Sequence, residues 1–123
     1  MSVRLVIPGR FSAWRVQNFY RGVNKYQRTA LAREAHEHVY WAVREQLGPE
    51  PPRFTVPVVI TVTEHCVYPP DASNSVQKVV LDGLVHAGLI EDDDYRRVSE
   101  LRLRSRKASA DEERIEIIIE EAE

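Results

Sequence analysis

The pattern of apolar and polar positions divides the chain into four short segments and two long ones. The short segments, residues 3–7, 57–66, 98–104 and 115–120, are rich in valine, isoleucine and leucine. Apolar side chains alternate with others in most of them, and turn-forming residues lie nearby. Alternation with a period of two is typical of β-strands, because successive side chains point to opposite faces of a sheet. The sequence therefore predicts four strands.

The two long segments are predicted to be helices. The first runs from Tyr26 to Leu47 and ends at Gly48-Pro49. The second is expected to start at a cap supplied by Asp71 or Ser73 and to end at Gly88. Apolar residues spaced about four apart form one buried stripe along each helix: Leu31, Ala35, Val39, Val43 and Leu47 in the first, and Val76, Val80, Leu84 and Ala87 in the second.

The resulting order β-α-β-α-β-β predicts a single α/β domain over residues 1–123. We expect a sandwich in which a mixed sheet carries both helices on one face. The last two strands are predicted to form a hairpin, because only six to eight residues separate them. Residues 10–25 have no clear period and mix bases, aromatics and amides, so they are predicted to form a surface loop.

Composition narrows the class of protein. The chain has 43% hydrophobic and 29% charged residues, an ordinary balance for a globular domain. No apolar run approaches the ~20 residues that span a bilayer, and no targeting signal is apparent, so we expect a soluble protein of the cytoplasm with no membrane partner. The single cysteine, Cys66, excludes an internal disulfide and is expected to be a small semi-buried side chain.

Charge is distributed in alternating blocks. The net charge is −2, which argues against a protein that coats DNA non-specifically. Residues 1–53 and 96–110 each carry +5, whereas residues 54–95 and 111–123 each carry −6. Such blocks suit an enzyme that grips a polyanion beside an acidic centre that holds a metal ion. The alternative is a solvated surface whose pattern has no function.

One constellation has the residue types for metal-dependent chemistry. The acidic run from Glu91 to Asp94 follows the second helix, and Asp71 and Lys78 lie just upstream. Carboxylates suit Mg²⁺, and an ammonium group can stabilise charge that develops on phosphate. The alternative is that Asp71 caps a helix and the run is a polar turn. The four histidines, His36, His38, His65 and His86, are expected to be solvated or packing side chains.

The segment NSVQKVVLDGLVHAGLIEDD, residues 74–93, resembles the core of the RusA family of Holliday-junction resolvases. The match from Lys78 to Asp93 has no gap, and its fixed features are Lys78, Asp82, the pair Ala87-Gly88 and the pair Asp92-Asp93. Residues 18–21, Asn-Phe-Tyr-Arg, also resemble the segment that follows the family's first strand.

The resemblance implies a homodimeric endonuclease, encoded by phages or prophages, that depends on Mg²⁺ or on Mn²⁺ in its place. Such an enzyme cuts four-way DNA junctions symmetrically during recombination and repair, in the bacterial cytoplasm or in a phage-infected host. Matched by position, Asp71, Lys78, Asp92 and Asp93 are the expected catalytic residues. Asp71, Asp92 and Asp93 are the expected metal ligands.

The sequence departs from the family pattern at one point. Ser73 stands where a second aspartate is expected, and the spacing from Asn74 to Lys78 is one residue longer than usual. Asn74 is therefore a further candidate metal ligand through its carbonyl, and Glu91 or Asp94 could add a carboxylate. The departure leaves two other functions open: a protein that binds junctions but cuts them weakly or not at all, and a structural phage protein on the same fold.

Basic residues are the candidates for gripping DNA phosphates. The first loop supplies Arg15, Arg21 and Lys25, and the third strand supplies Arg102 and Arg104. Simple solvation is the alternative for each of them.

Overall fold

The computed structural model describes residues 1–16, 18, 24–71 and 74–122. The elements whose bounds lie within these residues are four strands, two helices and two short 3₁₀ turns: β1 (Ser2–Pro8), 3₁₀ (Ser12–Trp14), α1 (Lys25–Leu47), β2 (Val58–Cys66), α2 (Gln77–His86), β3 (Val98–Lys107), 3₁₀ (Ala110–Glu112) and β4 (Arg114–Glu121). The predicted α/β class, the element order and the mixed sheet with two helices are confirmed. Neither of the two described helices is long and apolar enough to cross a membrane.

The strands form one sheet in the order β1-β4-β2-β3. Strand β4 runs antiparallel to both of its neighbours, whereas β3 runs parallel to β2. The predicted hairpin between β3 and β4 is therefore wrong, because β2 lies between them. Helix α2 forms the crossover that places β3 beside β2, as parallel pairing requires. Residues 108–113 then carry the chain past the end of β2, where the Ala108 N–H donates to the Cys66 carbonyl.

Both helices pack on one face of the sheet. Fully buried residues from the strands, Leu5, Ile60 and Ile117, belong to the same core cluster as Val39 of α1 and Leu84 of α2. The alternate strand positions point to the other side, where exposed and half-buried residues predominate. We call that second side of the sheet the open face.

Local signals set three of the four helix ends. Asn24 and Gln27 form a reciprocal capping box at the start of α1, and this helix ends at Gly48 with a φ of +90°. Gly88 follows α2 with a φ of +85°, a value that favours glycine. There the Leu89 N–H donates to the Leu84 carbonyl in a Schellman arrangement. The predicted role of Gly88 is confirmed.

Two predictions from the sequence need correction: the cap of α2 and the nature of the first loop. Helix α2 begins at Gln77, after Val76, and no side chain of the N-cap residue bonds to the helix. Asp71 is therefore not its cap, and Ser73 lies outside the described residues. The segment from residue 10 is also more than a surface loop, because Trp14 is only 2% exposed and stacks on Phe11 with ring centroids 4.1 Å apart.

Gly83 sets the distance between the helices. A Cβ atom at this position would lie 2.8 Å from Cγ2 of Val39, which is fully buried and cannot swing away. Gly83→Ala is expected to lower the free energy of unfolding by about 1–2 kcal/mol, because the clash outweighs the gain of about 1 kcal/mol in helix propensity. Urea denaturation measures this change.

The matched control is the double variant Gly83→Ala/Val39→Ala. Removing the Val39 methyl groups makes room for the new Cβ atom, so the double variant should be more stable than the sum of the two single changes predicts. Simple additivity would contradict the proposed steric contact.

Candidate metal centre

Residues 91–97 form a turn between α2 and β3, which we call the acidic turn. Two of its four acids hold the turn together. Arg97 pairs with Glu91 at 3.2 Å and with Asp94 at 2.9 Å. The Asp94 carbonyl accepts the Val98 N–H, and its side chain accepts the Arg96 N–H. Glu91 and Asp94 are therefore committed to the local structure.

The electrostatics of Asp94 agree with that role. Desolvation raises the pKa of Asp94, but hydrogen bonds from Arg96 and the charge of Arg97 outweigh it and hold this pKa below its ordinary value. Asp94 is thus an ionised partner of two arginines.

The other two acids of the turn, Asp92 and Asp93, take no part in these ion pairs. Both are exposed, and neither carboxylate has a cationic partner among the described residues. One oxygen of Asp92 accepts the Asp93 backbone N–H at 2.8 Å, which fixes the orientation of that side chain. The turn therefore presents two adjacent carboxylates to solvent.

Asp71 lies at the opposite end of the sheet from the acidic turn. The Val58 N–H donates to the Arg97 carbonyl, which places the turn at the N-terminal end of β2. Asp71 follows the C-terminal end of β2, and its carbonyl accepts the Asn74 N–H. The adjoining Val76 N–H bonds to Glu64 near that same end of the strand.

The crossover geometry explains this separation. Helix α2 has 10 residues and spans about 15 Å from the Asp71 end of the sheet to the acidic turn. In the part of the chain that the structure describes, no three His, Cys, Asp or Glu residues are grouped so that they could share a metal ion. Within the described part of one chain, Asp71 is therefore not grouped with Asp92 and Asp93.

Lys78 and Asn74 accompany Asp71. Lys78 lies in the first turn of α2, its side chain is 50% exposed, and its Nζ lies 3.7 Å from Asp82. Asn74 precedes the helix, which begins at Gln77. The predicted catalytic residues thus form two groups: Asp71, Asn74 and Lys78 at one end of α2, and Asp92 and Asp93 at the other.

Arg15 belongs to a buried ion pair. Its Nε donates to Oε2 of Glu64 at 3.0 Å, and the two side chains are only 11% and 4% exposed. Its Nη2 lies 3.5 Å from Sγ of the buried Cys66. This guanidinium ties the first loop to β2, so it is not available at the surface for a phosphate as the sequence suggested.

Glu64, the carboxylate of this ion pair, is almost completely buried. Burial raises the pKa of Glu64, while the hydrogen bond and charge of Arg15 and the Val76 N–H act to lower it. Its second oxygen, Oε1, has no hydrogen-bond partner among the described residues. Sequence reasoning missed Glu64, because the partner that explains it is 49 residues away.

The other predicted DNA-binding residues have different surroundings. Arg102 pairs with Glu100 at 2.9 Å, whereas Arg104 is exposed without a carboxylate partner in the described structure. Lys25 is the exposed first residue of α1. Arg21 lies outside the described residues.

Two histidines have a neighbour that their spacing did not reveal. The rings of His36 and His86 stack with centroids 5.0 Å apart, beside a cavity of about 570 Å³ between α1 and α2. Burial and the adjacent His86 lower the pKa of His36, against a raising effect of Asp82. The two imidazoles pack against each other at this cavity, and neither Asp92 nor Asp93 lines it.

Helix α2 thus holds the two groups of predicted residues at opposite ends of the sheet. The Lys78–Asp93 motif spans that helix and connects the groups. No protein-family model matches the chain, and no curated protein matches it at a significant level.

Proposed function

We propose that the protein is a metal-dependent endonuclease that hydrolyses phosphodiesters in branched DNA, such as four-way junctions. The observation that carries the proposal is that two of the four acids in the acidic turn form ion pairs with arginines and the other two do not. Glu91 pairs with Arg97, and Asp94 pairs with Arg96 and Arg97, whereas Asp92 and Asp93 are exposed without a cationic partner among the described residues. These are the same two acids that the resemblance to the RusA family selects.

The donor chemistry of this pair fits a hard cation. Mg²⁺ is commonly held by one or two carboxylates and completes its octahedron with water and substrate phosphate. Asp92 and Asp93 would provide the carboxylates, with Mn²⁺ as a substitute ion. A bound ion of this kind supplies polarisation of a phosphoryl oxygen and activation of water.

The separation of Asp71 from the acidic turn supports a site that is shared by two chains. In a two-fold dimer with antiparallel α2 helices, the Asp71 end of one chain would lie beside the acidic turn of its partner. Each of the two equivalent sites would then combine Asp71, Asn74 and Lys78 from one chain with Asp92 and Asp93 from the other. Lys78 would place its ammonium group beside the phosphate and stabilise the charge that develops there.

The proposal predicts paired nicks. Purified protein incubated with a labelled four-way junction and Mg²⁺ should cut two symmetry-related strands, and EDTA should stop the reaction. Denaturing gel electrophoresis of the two labelled strands measures the nicks, and a linear duplex of the same sequence is the control substrate. Cutting of the duplex at the same rate would contradict a preference for branched DNA.

A junction-binding protein without nuclease activity is the second candidate. It is favoured by Ser73 in place of an aspartate, and by the distance of Asp71 from other predicted ligands within one chain. Binding without nicks in the same assay would support this candidate. A structural protein on this fold would show no affinity for the junction at all.

A further inference from the structure

Neither helix covers the open face of the sheet. Strand register places its side chains in rows that run across all four strands. One row contains Val6, Glu116, Thr63 and Arg104, and the next contains Pro8, Arg114, His65 and Arg106. These two rows lie at the C-terminal end of β2, and we call them the basic end of the open face.

Ion pairs divide the arginines of this face into two classes. Arg4 donates to Glu116 at 2.7 Å, and Arg102 pairs with Glu100 at 2.9 Å. Glu116 also contacts His65 at 3.1 Å and Arg114 at 3.8 Å. Arg104 and Arg106 are exposed, and no described carboxylate lies within ion-pair distance of either. Their positive charges are therefore available to a partner.

The charges of the open face are separated along the strands. At the N-terminal end of β2, Val59 is flanked by Glu120 on β4 and by Glu100 on β3. At the basic end, Arg104 and Arg106 lie beside Thr63 and His65 of β2. Asp71 follows that same end of β2. The unpaired cations and the Asp71 group thus lie at one end of the domain.

We infer that the basic end of the open face binds the sugar-phosphate backbone of a duplex arm of the nucleic-acid substrate. The inference rests on the proposed function for its substrate class, but its evidence is the charge complementarity of this separate surface. Arg104 and Arg106 are two residues apart on one strand, so their Cα atoms are about 7 Å apart and their side chains share a face. Two exposed guanidinium groups that no described carboxylate engages suit phosphate contacts that position a duplex without base specificity.

Salt-dependent binding tests the inference. Fluorescence anisotropy in EDTA, with a labelled four-way junction, should show roughly 10- to 60-fold weaker binding for Arg104→Ala/Arg106→Ala at about 0.1 M salt. The slope of log affinity against log salt should decrease in magnitude by about two, one for each lost phosphate contact. Arg104→Lys/Arg106→Lys keeps both charges and should retain most of the affinity and the slope.

Arg44→Ala is the control, because Arg44 is an exposed cation of α1, which packs on the opposite face of the sheet. It should change the slope by much less than one. A double variant that binds the junction with the wild-type slope would overturn the inference, while junction binding by the wild-type protein would keep the proposed function intact. No junction binding by the wild-type protein would overturn both.

A second copy of the chain is the rival occupant, because its acidic end could face the basic end of the first. Sedimentation equilibrium of the same variants measures their oligomeric state and so distinguishes a second copy of the chain from nucleic acid as the occupant. An unchanged oligomeric state together with weaker DNA binding supports the nucleic acid. Dissociation of a wild-type oligomer in Arg104→Ala/Arg106→Ala would assign this surface to the second copy and overturn the inference.

Discussion

Asp93→Asn is expected to reduce Mg²⁺-dependent cleavage of a four-way junction by more than about 100-fold and to leave junction binding in EDTA no weaker. The amide keeps the shape of the side chain but removes the charge that a cation requires. Changes to groups that merely support a metal ligand already cost about 10- to 100-fold, so loss of a ligand should cost at least as much. Single-turnover nicking and anisotropy measure the two quantities.

The matched control is Glu91→Gln on the same turn. Glu91 is also exposed, but its charge pairs with Arg97 at 3.2 Å, so its loss should weaken that surface contact and leave most of the cleavage. Equal loss of activity in the two variants would mean that the overall charge or shape of the turn matters, and that Asp93 has no special role.

Mixing two inactive variants tests whether the site is shared. If Asp71 of one chain acts with Asp93 of its partner, an Asp71→Asn chain paired with an Asp93→Asn chain contains one intact site and one doubly changed site. Random exchange makes about half of the dimers mixed, so about a quarter of the wild-type nicking should return, on one strand at a time. No recovery after verified subunit exchange would place each site within a single chain.

Local sequence signals predicted most of the fold. The alternation of Ile115, Ile117 and Ile119 with less buried residues identified a strand with one buried face, and the structure buries these three positions. Gly88 marked a helix end because few other residues adopt its φ of +85°. The prediction of a helix start at Tyr26 did not use the capping box of Asn24 and Gln27, and α1 begins one residue earlier, at Lys25.

Long-range partners could not be predicted in the same way. The hairpin was wrong because the short spacing of β3 and β4 says nothing about the strand that inserts between them. Arg15 looked like a surface cation because Glu64, 49 residues away, is not part of its local pattern. The candidate site divided at α2 for a related reason: residues close in sequence lie at opposite ends of a helix that serves as a crossover.

Arg15→Met is expected to lower the free energy of unfolding by about 3–5 kcal/mol at pH 8, since removing one partner leaves a buried carboxylate uncompensated. Methionine keeps the aliphatic part of the side chain, so the lost charge dominates the change. Glu64 is 3% exposed and also accepts the Val76 N–H at the start of α2. Urea denaturation at several pH values measures the effect.

The pH dependence separates lost charge from lost packing. Burial already raises the pKa of Glu64 above its ordinary value of 4.5, and Arg15 is the largest influence that lowers it. Without Arg15 this pKa should rise further. A carboxyl group with a raised pKa in the folded state contributes most to stability below its unfolded pKa, and it loses that contribution as the pH rises through the folded value. The difference between the variant and wild type should therefore be small near pH 4.5 and grow toward pH 8.

Two further variants test whether lost charge or lost packing causes the loss of stability in Arg15→Met. Arg15→Met/Glu64→Gln removes the buried charge, so its loss of stability should be nearly independent of pH and smaller than that of Arg15→Met at pH 8. Arg4→Met breaks the ion pair of a largely exposed arginine with Glu116, and it should cost less than about 1 kcal/mol. A loss in Arg15→Met that stayed constant from pH 4.5 to 8 would show that Arg15 stabilises the loop by packing alone, because only an ionisable Glu64 can make the loss grow with pH.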